Sequence, residues 1–292
     1  MKKKLSVLFL ISLLAFSLAA CDTGGGTSKS DSSAVQTTAP QEASAETSST
    51  QEASADDTAA PTEEATETTA EPTTEASYGT VGDYVFTKVE KNLPSNGSFL
   101  LTGETGTYGT TVPNRLPQLK LDSADAASVN SEIMSNHSEQ IESNAASAYE
   151  HIQGRIDYVA FLNGGVLSLV IESRSTDTPN SYFDVYNFDV TTGNLLSKEE
   201  VIALSTSSQD EVRAELTAEI NAIYDGMLEN AQTDANIQAV ENCRTGSLTE
   251  ENLSAAQYYF NGEGQMVAAY RYKGVAGAES YGGLGILNTS IR

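Results

Sequence analysis

Hydrophobic and polar residues divide this chain of 292 residues into three parts. Leu5 to Leu18 form a short apolar run behind three lysines. From Asp22 to about Ser77 the only large aliphatic residue is Val35, and no aromatic residue occurs. All 13 tyrosines and most of the aliphatic residues lie beyond that point. The pattern predicts an apolar leader, a segment without a core, and one folded region.

The folded region is predicted to begin with a strand and to continue into a long helix. Val81 to Leu101 indicate a strand with a turn at Pro94-Ser95-Asn96-Gly97, and Gly103 to Thr111 indicate a loop or irregular strand. Apolar residues then recur at helical spacing, which predicts a helix over Ser123–Ile152. Its apolar stripe consists of Val129, Ile133, Ile141, Ala145 and Ala148.

Three consecutive runs of β-branched and aromatic residues predict an antiparallel meander. The glycine-rich turn Asn163-Gly164-Gly165 favours a tight hairpin, because these residues tolerate positive φ. Short turns between strands are typical of antiparallel pairing. The predicted strands are Ile156–Leu162, Val166–Ser173 and Ser181–Val190, the last followed by the turn Thr191-Thr192-Gly193-Asn194.

The remaining residues predict two helices and a closing hairpin. Ser208 or Ser207 is expected to cap a helix that runs through Glu229, with Glu211 placed for a capping box. A second helix is predicted over Asp234–Cys243, and strands over Ser254–Asn261, Gln265–Tyr272 and Leu284–Thr289. The fold class is therefore predicted as α+β, an antiparallel β-meander and a C-terminal hairpin packed with two or three helices.

Composition separates a tether from the domain. A segment of Ser, Thr, Ala, Glu, Gly and Pro cannot bury enough apolar surface to offset the entropy of ordering it. We expect residues 21–78 to form a disordered tether with an r.m.s. span of about 40 Å. Residues 79–292 form the predicted domain, as one unit or as two sub-lobes.

The leader has the pattern of a lipoprotein export signal. Lys2, Lys3 and Lys4 precede the apolar run, which ends in Leu18-Ala19-Ala20-Cys21. The apolar run is shorter than the roughly 20 residues of a membrane-spanning helix. We therefore expect a signal peptide over residues 1–20 and a lipid anchor, with thioether-linked diacylglycerol and palmitate, on Cys21.

The net charge excludes some classes of partner. Of the total of −24, the leader lysines contribute +3 and the tether −11, which leaves −16 on the domain. Nucleic acids and anionic membrane surfaces favour basic patches, so neither is an expected direct partner. The charge suits a cationic partner or simple solubility.

No catalytic motif stands out among the candidate residues. Cys243 is expected to be a structural cysteine, and His137, on the apolar stripe of the long helix, a core or boundary residue. His151 lies in no recognisable context, and Gly282-Gly283-x-Gly285 precedes no helix that would receive a phosphate. The sequence predicts no cofactor and no metal site.

Carboxylates on or near the predicted central strands leave a glycosidase-like pair open. Such chemistry needs two carboxyl groups about 5 to 9 Å apart, and an acidic sheet offers pairs of this kind by chance. A solvated acidic face is the simpler interpretation. The candidates are Glu172, Asp177, Asp184 and Asp189.

Several segments resemble one known family. Val185 to Ser197, followed by Glu199-Glu200-Val201-Ile202, is similar to a strand, a Thr-Gly turn and a helix start in an extracellular domain of unknown function. The peptidoglycan deacetylase PdaC carries that domain beside its catalytic domain, as do lysozyme-sensing anti-sigma-V factors. The other similar segments are Val112-Pro113 through Ile133, Leu162 to Ile171, and Tyr258-Tyr259-Phe260 with Gly264.

The resemblance covers most of residues 110 to 290 and implies a fold and an extracellular setting. One departure falls at Ser175 to Asn180, where family members often carry a Gly-Ala-His element. The deacetylase domain of PdaC has no counterpart in these 292 residues. The resemblance therefore implies no enzymatic activity.

These observations predict a non-enzymatic, lipid-anchored binding module at the extracytoplasmic face of a bacterial, Gram-positive-type membrane. The expected ligand is a cell-wall component such as a glycan, or a cationic extracellular protein such as lysozyme. The alternative is an envelope hydrolase or deacetylase that acts on peptidoglycan or another glycan. A purely structural or accessory lipoprotein is a third interpretation.

Overall fold

The computed structural model describes residues 77–94, 98–104, 111–146, 154–174, 180–275 and 280–292. The predicted lipid anchor at Cys21 and the predicted tether up to residue 76 lie outside the described residues. All described residues belong to one compact unit.

Runs of two or three strands are separated by helices along the described chain. Three helices are long and three are single turns or little more. In chain order the elements are α1 (Val81–Tyr84), β1 (Val85–Pro94), β2 (Thr111–Leu119), α2 (Ala124–Ala146), β3 (Arg155–Asn163), β4 (Val166–Arg174), β5 (Ser181–Asp189), α3 (Lys198–Ala203), α4 (Gln209–Leu228), α5 (Asp234–Ser247), α6 (Glu250–Ser254), β6 (Gln257–Phe260), β7 (Gln265–Lys273) and β8 (Ser280–Ser290).

The strands form three antiparallel sheets. β1 pairs with β2, β3-β4-β5 form a meander, and β6-β7-β8 form a second three-stranded sheet. The turn between β3 and β4 is Gly164-Gly165, with φ of 53° and 82°, and Asn163 pairs with Val166 across it. This geometry is what the two-residue hairpin prediction requires. The α+β class and the meander are confirmed.

Three hydrophobic clusters stack these sheets into layers. The first cluster joins α2 and β2 to one face of the β3-β4-β5 sheet, and includes Ile133, Leu116 and Leu169. A smaller cluster of Val170, Tyr259 and Val267 lies between the two three-stranded sheets. The largest cluster packs α3 to α6 on the outer face of the β6-β7-β8 sheet. The two three-stranded sheets are thus the inner layers, and the helices cover them on both sides.

A buried polar link joins the two inner sheets. Ser168 on β4 and Asn187 on β5 are cross-strand partners, and the Ser168 hydroxyl donates to Asn187 Oδ1 at 2.7 Å. Asn187 Nδ2 donates to the carbonyl of Tyr258, and the amide of Phe260 donates to Ser168 Oγ. These bonds satisfy backbone groups on the edge of β6 that no strand pairs. The side chains of Ser168 and Asn187 therefore form the hydrogen bonds that a neighbouring strand would otherwise form with β6.

Several predicted boundaries differ from those observed. α5 runs to Ser247, four residues past the predicted end at Cys243, and Val81–Tyr84 is a helical turn rather than strand. Residues 254–256 belong to the end of α6 and its turn, because the amides of Ala255 and Ala256 donate back to carbonyls within that short helix. β8 begins at Ser280 although glycines stand at 282, 283 and 285. Ser208, not Ser207, caps α4.

Some predicted boundaries lie outside the described residues. They are the turn residues 95–97, most of the loop at 103–111, and the predicted helix end at 147–152. Among the described residues, no helix is long and apolar enough to span a membrane.

Candidate functional site

An open groove of about 560 Å³ lies where β7 extends beyond β6. The pairing of β6 with β7 ends at Gln257 opposite Ala269, whereas β7 continues to Lys273. On that side of β7 the turn between α5 and α6 replaces the strand. The start of β5, at Ser181–Phe183, provides the opposite wall. We call this site the β5–β7 groove.

Two cations and one aromatic side chain characterise the groove. Arg271 and Lys273 are two residues apart on β7, so they lie on the same face of the strand. The Arg271 guanidinium carbon is 5.0 Å from the centroid of the Tyr182 ring, within the range of a cation–π contact. Tyr182 is 39% exposed, and both cations are exposed. The groove is therefore exposed to solvent, and Arg271 and Lys273 each place a positive charge at its surface.

The backbone that carries these two cations is held on both sides. Asn252 Nδ2 donates to the carbonyl of Arg271 at 2.8 Å. The amide of Lys273 donates to Ser247 Oγ at 2.8 Å, and the Tyr224 hydroxyl donates to the carbonyl of Lys273 at 2.9 Å. Ser247 and Tyr224 are fully buried. The end of β7 is thus fixed by the core, although its side chains face solvent.

Glycines make room for the walls of the groove. A Cβ on Gly246 of α5 would lie 2.7 Å from Lys273 Nζ, so the lysine side chain passes directly over that glycine. A Cβ on Gly283 would lie 2.7 Å from Tyr270 Cε2, and one on Gly285 would lie 3.3 Å from Tyr270 Cε1. In the Gly282-Gly283-x-Gly285 motif, Gly283 and Gly285 therefore allow close packing against the Tyr270 ring. Burial raises the pKa of Tyr270, with a further contribution from Glu219.

The histidine on the predicted apolar stripe is buried and has a partner. His137 on α2 lies with Nε2 2.7 Å from Asp184 Oδ2 on β5. An ionised carboxylate only accepts, so the bond requires a proton on Nε2. The pair joins α2 to the meander, as expected of a boundary histidine. His151 lies outside the described residues.

Two of the candidate carboxylates are separated by the register of the sheet. Glu172 is paired with Phe183 and Asp184 with Ile171, so Glu172 and Asp184 lie on opposite faces. Glu172 is fully buried and accepts from the amides of Leu100 and Leu101 and from the Ser181 hydroxyl. Burial raises the pKa of Glu172, although these donors oppose the shift.

The remaining candidates have structural contacts or lie outside the description. Asp189 Oδ1 accepts from the amides of Thr191 and Thr192 and so shapes the turn after β5. Cys243 is half-buried, with its Sγ 3.5 Å from the carbonyl oxygen of Gly274. Asp177 lies outside the described residues.

A charged clamp at the start of β3 was not predicted from the sequence. Arg155 is fully buried, and its guanidinium carbon lies 4.1 Å from the centroid of the Phe99 ring. Its Nη2 donates to Glu104 at 2.7 Å and to Asp157 at 3.2 Å. Asp157 also accepts two bonds from Arg115 on β2. The clamp holds residues 98–104 and β2 against β3. The alternation Arg155-x-Asp157 on one strand face is the only signal that the sequence offers for it.

Sequence reasoning also missed the β5–β7 groove. Arg271-x-Lys273 at the end of a strand, in a chain with few bases, is the signal that was available. What the pattern does not contain is the meeting of β7 with the α5–α6 turn and with Tyr182, about 90 residues earlier in the chain. That contact depends on how the two inner sheets stack.

Within the described ranges, no group of three or more His, Cys, Asp or Glu side chains is arranged to hold a metal ion.

No protein-family model, no curated protein and no solved structure matches this chain. The resemblance to the extracellular domain of PdaC and the anti-sigma-V factors therefore stays a prediction, carried by the segments that suggested it.

Proposed function

We propose that this protein is a lipid-anchored binding module of the bacterial cell envelope, and that it binds a wall component in the β5–β7 groove. The observation that carries the proposal is the groove itself. It offers two exposed cations and an exposed aromatic ring on a backbone that the core holds in place. A preformed site of this kind loses little entropy when a ligand binds.

The expected anchor and tether support a ligand in the wall. A lipid on Cys21 and a tether of about 40 Å r.m.s. span would place the domain in the space above the membrane. The ligand would then be an extended polymer that passes through an open groove, rather than a small molecule enclosed in a cavity. The exposed side chains of Tyr182, Arg271 and Lys273 make the groove accessible from solvent, as such a ligand requires.

The hydrolase alternative is less well supported by the candidate carboxylates. Glu172 and Asp184 face opposite sides of the meander, and each already has hydrogen-bond partners within the fold. Of the described residues that line the groove, only Glu251 is acidic. A pair of carboxyl groups facing one substrate is what glycoside hydrolysis needs.

A second candidate ligand is a basic extracellular protein. Residues 198–254, which contain α3 to α6, hold 12 acidic and three basic residues, a net −9 of the domain's −16. The acidic charge is therefore concentrated on the helical layer and not spread evenly. The two candidates differ in where the ligand binds, at the groove or on the helical layer.

Co-sedimentation with isolated, insoluble cell walls tests the proposal. The chain from residue 22 onward should sediment with the walls. Ala255→Leu should weaken binding by about tenfold or more, because Ala255 is an exposed residue that lines the groove and a larger side chain narrows it. Ala203→Leu is the matched control, since Ala203 is also exposed at the end of a short helix but lies outside the groove.

The outcomes are distinct. Binding of the wild type and of Ala203→Leu, with loss in Ala255→Leu, supports the proposal. A wild-type chain that stays in the supernatant, or an Ala255→Leu variant that binds as well as the wild type, overturns it.

A further inference from the structure

We propose that Arg271 and Lys273 form an anion subsite in the β5–β7 groove, which takes a carboxylate or phosphate group carried by an envelope polymer. The inference rests on the proposed function for the polymer, but it assigns the chemistry of the site independently.

Neither cation has a carboxylate partner among the described residues. Five other cations of the described residues pair with carboxylates: Lys91, Arg115, Arg155, Arg213 and Arg244. Arg271 and Lys273 form no ion pair with any described residue, in a domain that carries −16. Four other cations of the described residues also form no ion pair: Lys88, Lys120, Lys198 and Arg292. Arg271 and Lys273 differ from these four because they share one face of a strand and both line the groove.

The fold holds both cations on one face of β7. Their carbonyl and amide groups are bonded to Asn252, Ser247 and Tyr224. The Arg271 guanidinium lies beside the Tyr182 ring, and the Lys273 stem passes over Gly246, where a Cβ would lie 2.8 Å from Cδ. Both side chains are thus guided by neighbours that carry no charge. Because residues i and i+2 of a strand lie about 7 Å apart, the arginine and the lysine can both contact one anionic segment of a polymer.

The charge close to the two cations differs from the charge of the whole domain. Among the described residues that line the groove, two are basic and one, Glu251, is acidic, which gives them a net charge of +1. At physiological ionic strength the Debye length is about 8 Å, so carboxylates on the far side of the helical layer are largely screened. A bound anion therefore interacts mainly with the two cations, despite the negative charge of the whole domain.

Titration with soluble probes tests the subsite and separates its two chemical sources. The probes are a glycerol-phosphate polymer, a carboxylate-bearing glycan–peptide fragment, and a neutral N-acetylglucosamine oligomer. Arg271→Gln and Lys273→Gln remove one charge each at similar length. Lys88→Gln on β1, which is exposed and outside the groove, removes the same charge and serves as the control.

We expect one anionic probe or both to bind to the chain from residue 22 onward. Each groove variant should weaken that binding about tenfold or more, because a hydrogen bond to a charged group is lost. Lys88→Gln should bind within about twofold of the wild type, since a remote exposed charge is screened. Phosphate-selective or carboxylate-selective binding identifies the source, and either result supports the subsite.

Two results overturn the inference: neither anionic probe binds, or the groove variants bind as Lys88→Gln does. Wall binding that persists unchanged in Arg271→Gln and Lys273→Gln removes the anion subsite and leaves the proposed function standing. If an anionic probe binds in the groove but the chain does not bind to walls, the anion subsite stands and the proposed function is overturned.

Discussion

At the scale of single residues, glycines leave the space that the larger side chains beside them occupy. Gly246 leaves the space over which Lys273 extends, and Gly283 and Gly285 leave the space that the Tyr270 ring fills. None of these glycines has positive φ, so their role is close approach and not an unusual backbone conformation. A sequence shows that a glycine is present, but only the fold shows which side chain occupies the space beside it.

Buried charges illustrate the same limit at other residues. His137 was placed correctly as a boundary residue because its helical spacing from Ile133 and Ile141 is visible in the sequence. Its partner Asp184 was not predictable, since it depends on which face of the meander packs on α2. Arg155 gave even less indication, because a fully buried arginine is unusual and its partner Phe99 comes from a separate segment.

Glu172 makes the stability of the domain depend on pH. Burial raises the pKa of Glu172 in the folded state above its value in the unfolded chain. Between these two values the folded state binds more protons, so this residue's contribution to the free energy of unfolding falls as the pH rises. Glu172→Gln keeps an acceptor for the backbone amides and removes the titration.

We therefore expect the free energy of unfolding of Glu172→Gln, minus that of the wild type, to increase from pH 4 to pH 8. Urea unfolding at several pH values measures it. Glu139→Gln, on the exposed side of α2, controls for the loss of one surface carboxylate. A difference for Glu172→Gln that stays constant or decreases with pH would contradict the assignment.

At the scale of elements, periodicity was enough to predict most of the fold. α2, α4 and the meander follow from helical spacing and from β-branched runs, because these patterns belong to amphipathic elements with one buried face. β8 was predicted too short, since glycines lower the strand propensity of residues 280–285. Its glycines are tolerated because the β5 backbone and Tyr270 pack where side chains would be.

Alanine substitutions at two glycines are expected to change the free energy of unfolding in opposite directions, because only Gly282 lies at the contact between the two inner sheets. A Cβ on Gly282 would overlap the carbonyl oxygen of Ser181 and lie 2.9 Å from Phe183 Cε2. Gly282→Ala should therefore lower the free energy of unfolding by about 1–3 kcal/mol. Gly226→Ala, in α4 with open space around the new methyl group, should raise it by about 0.5–1 kcal/mol.

Urea unfolding of the two variants beside the wild type measures both effects. A neutral or stabilising Gly282→Ala would show that β5 and β8 do not approach as closely as the structure has them.

At the scale of the whole molecule, charge and attachment are divided among parts of the chain. The acidic residues are concentrated in the helical layer, while the described residues that line the groove carry a net positive charge. The lipid anchor is expected at Cys21, outside the described residues, and the chain's other cysteine is half-buried in α5. Neither the groove nor its charge was predicted, because both arise from elements that are distant in sequence.

Substitution of the two cysteines tests the attachment. Cys21→Ala should block lipidation and maturation and leave the distal domain folded, because the thiol at the cleavage position accepts the lipid. Cys243→Ala should remain lipidated and membrane-bound. Membrane fractionation with mass spectrometry of the intact chain distinguishes them. A Cys21→Ala protein that is still membrane-bound and processed at the same site would contradict the export signal.

The central claim, that the β5–β7 groove binds an envelope component, is tested most directly by amide NMR. Solubilised wall fragments would be titrated into the ¹⁵N-labelled chain from residue 22 onward. The account predicts saturable shifts concentrated at Ser181–Phe183, at Arg271–Lys273 and near Asn252. Shifts confined to the acidic helices, or no saturable shift at all, would contradict it.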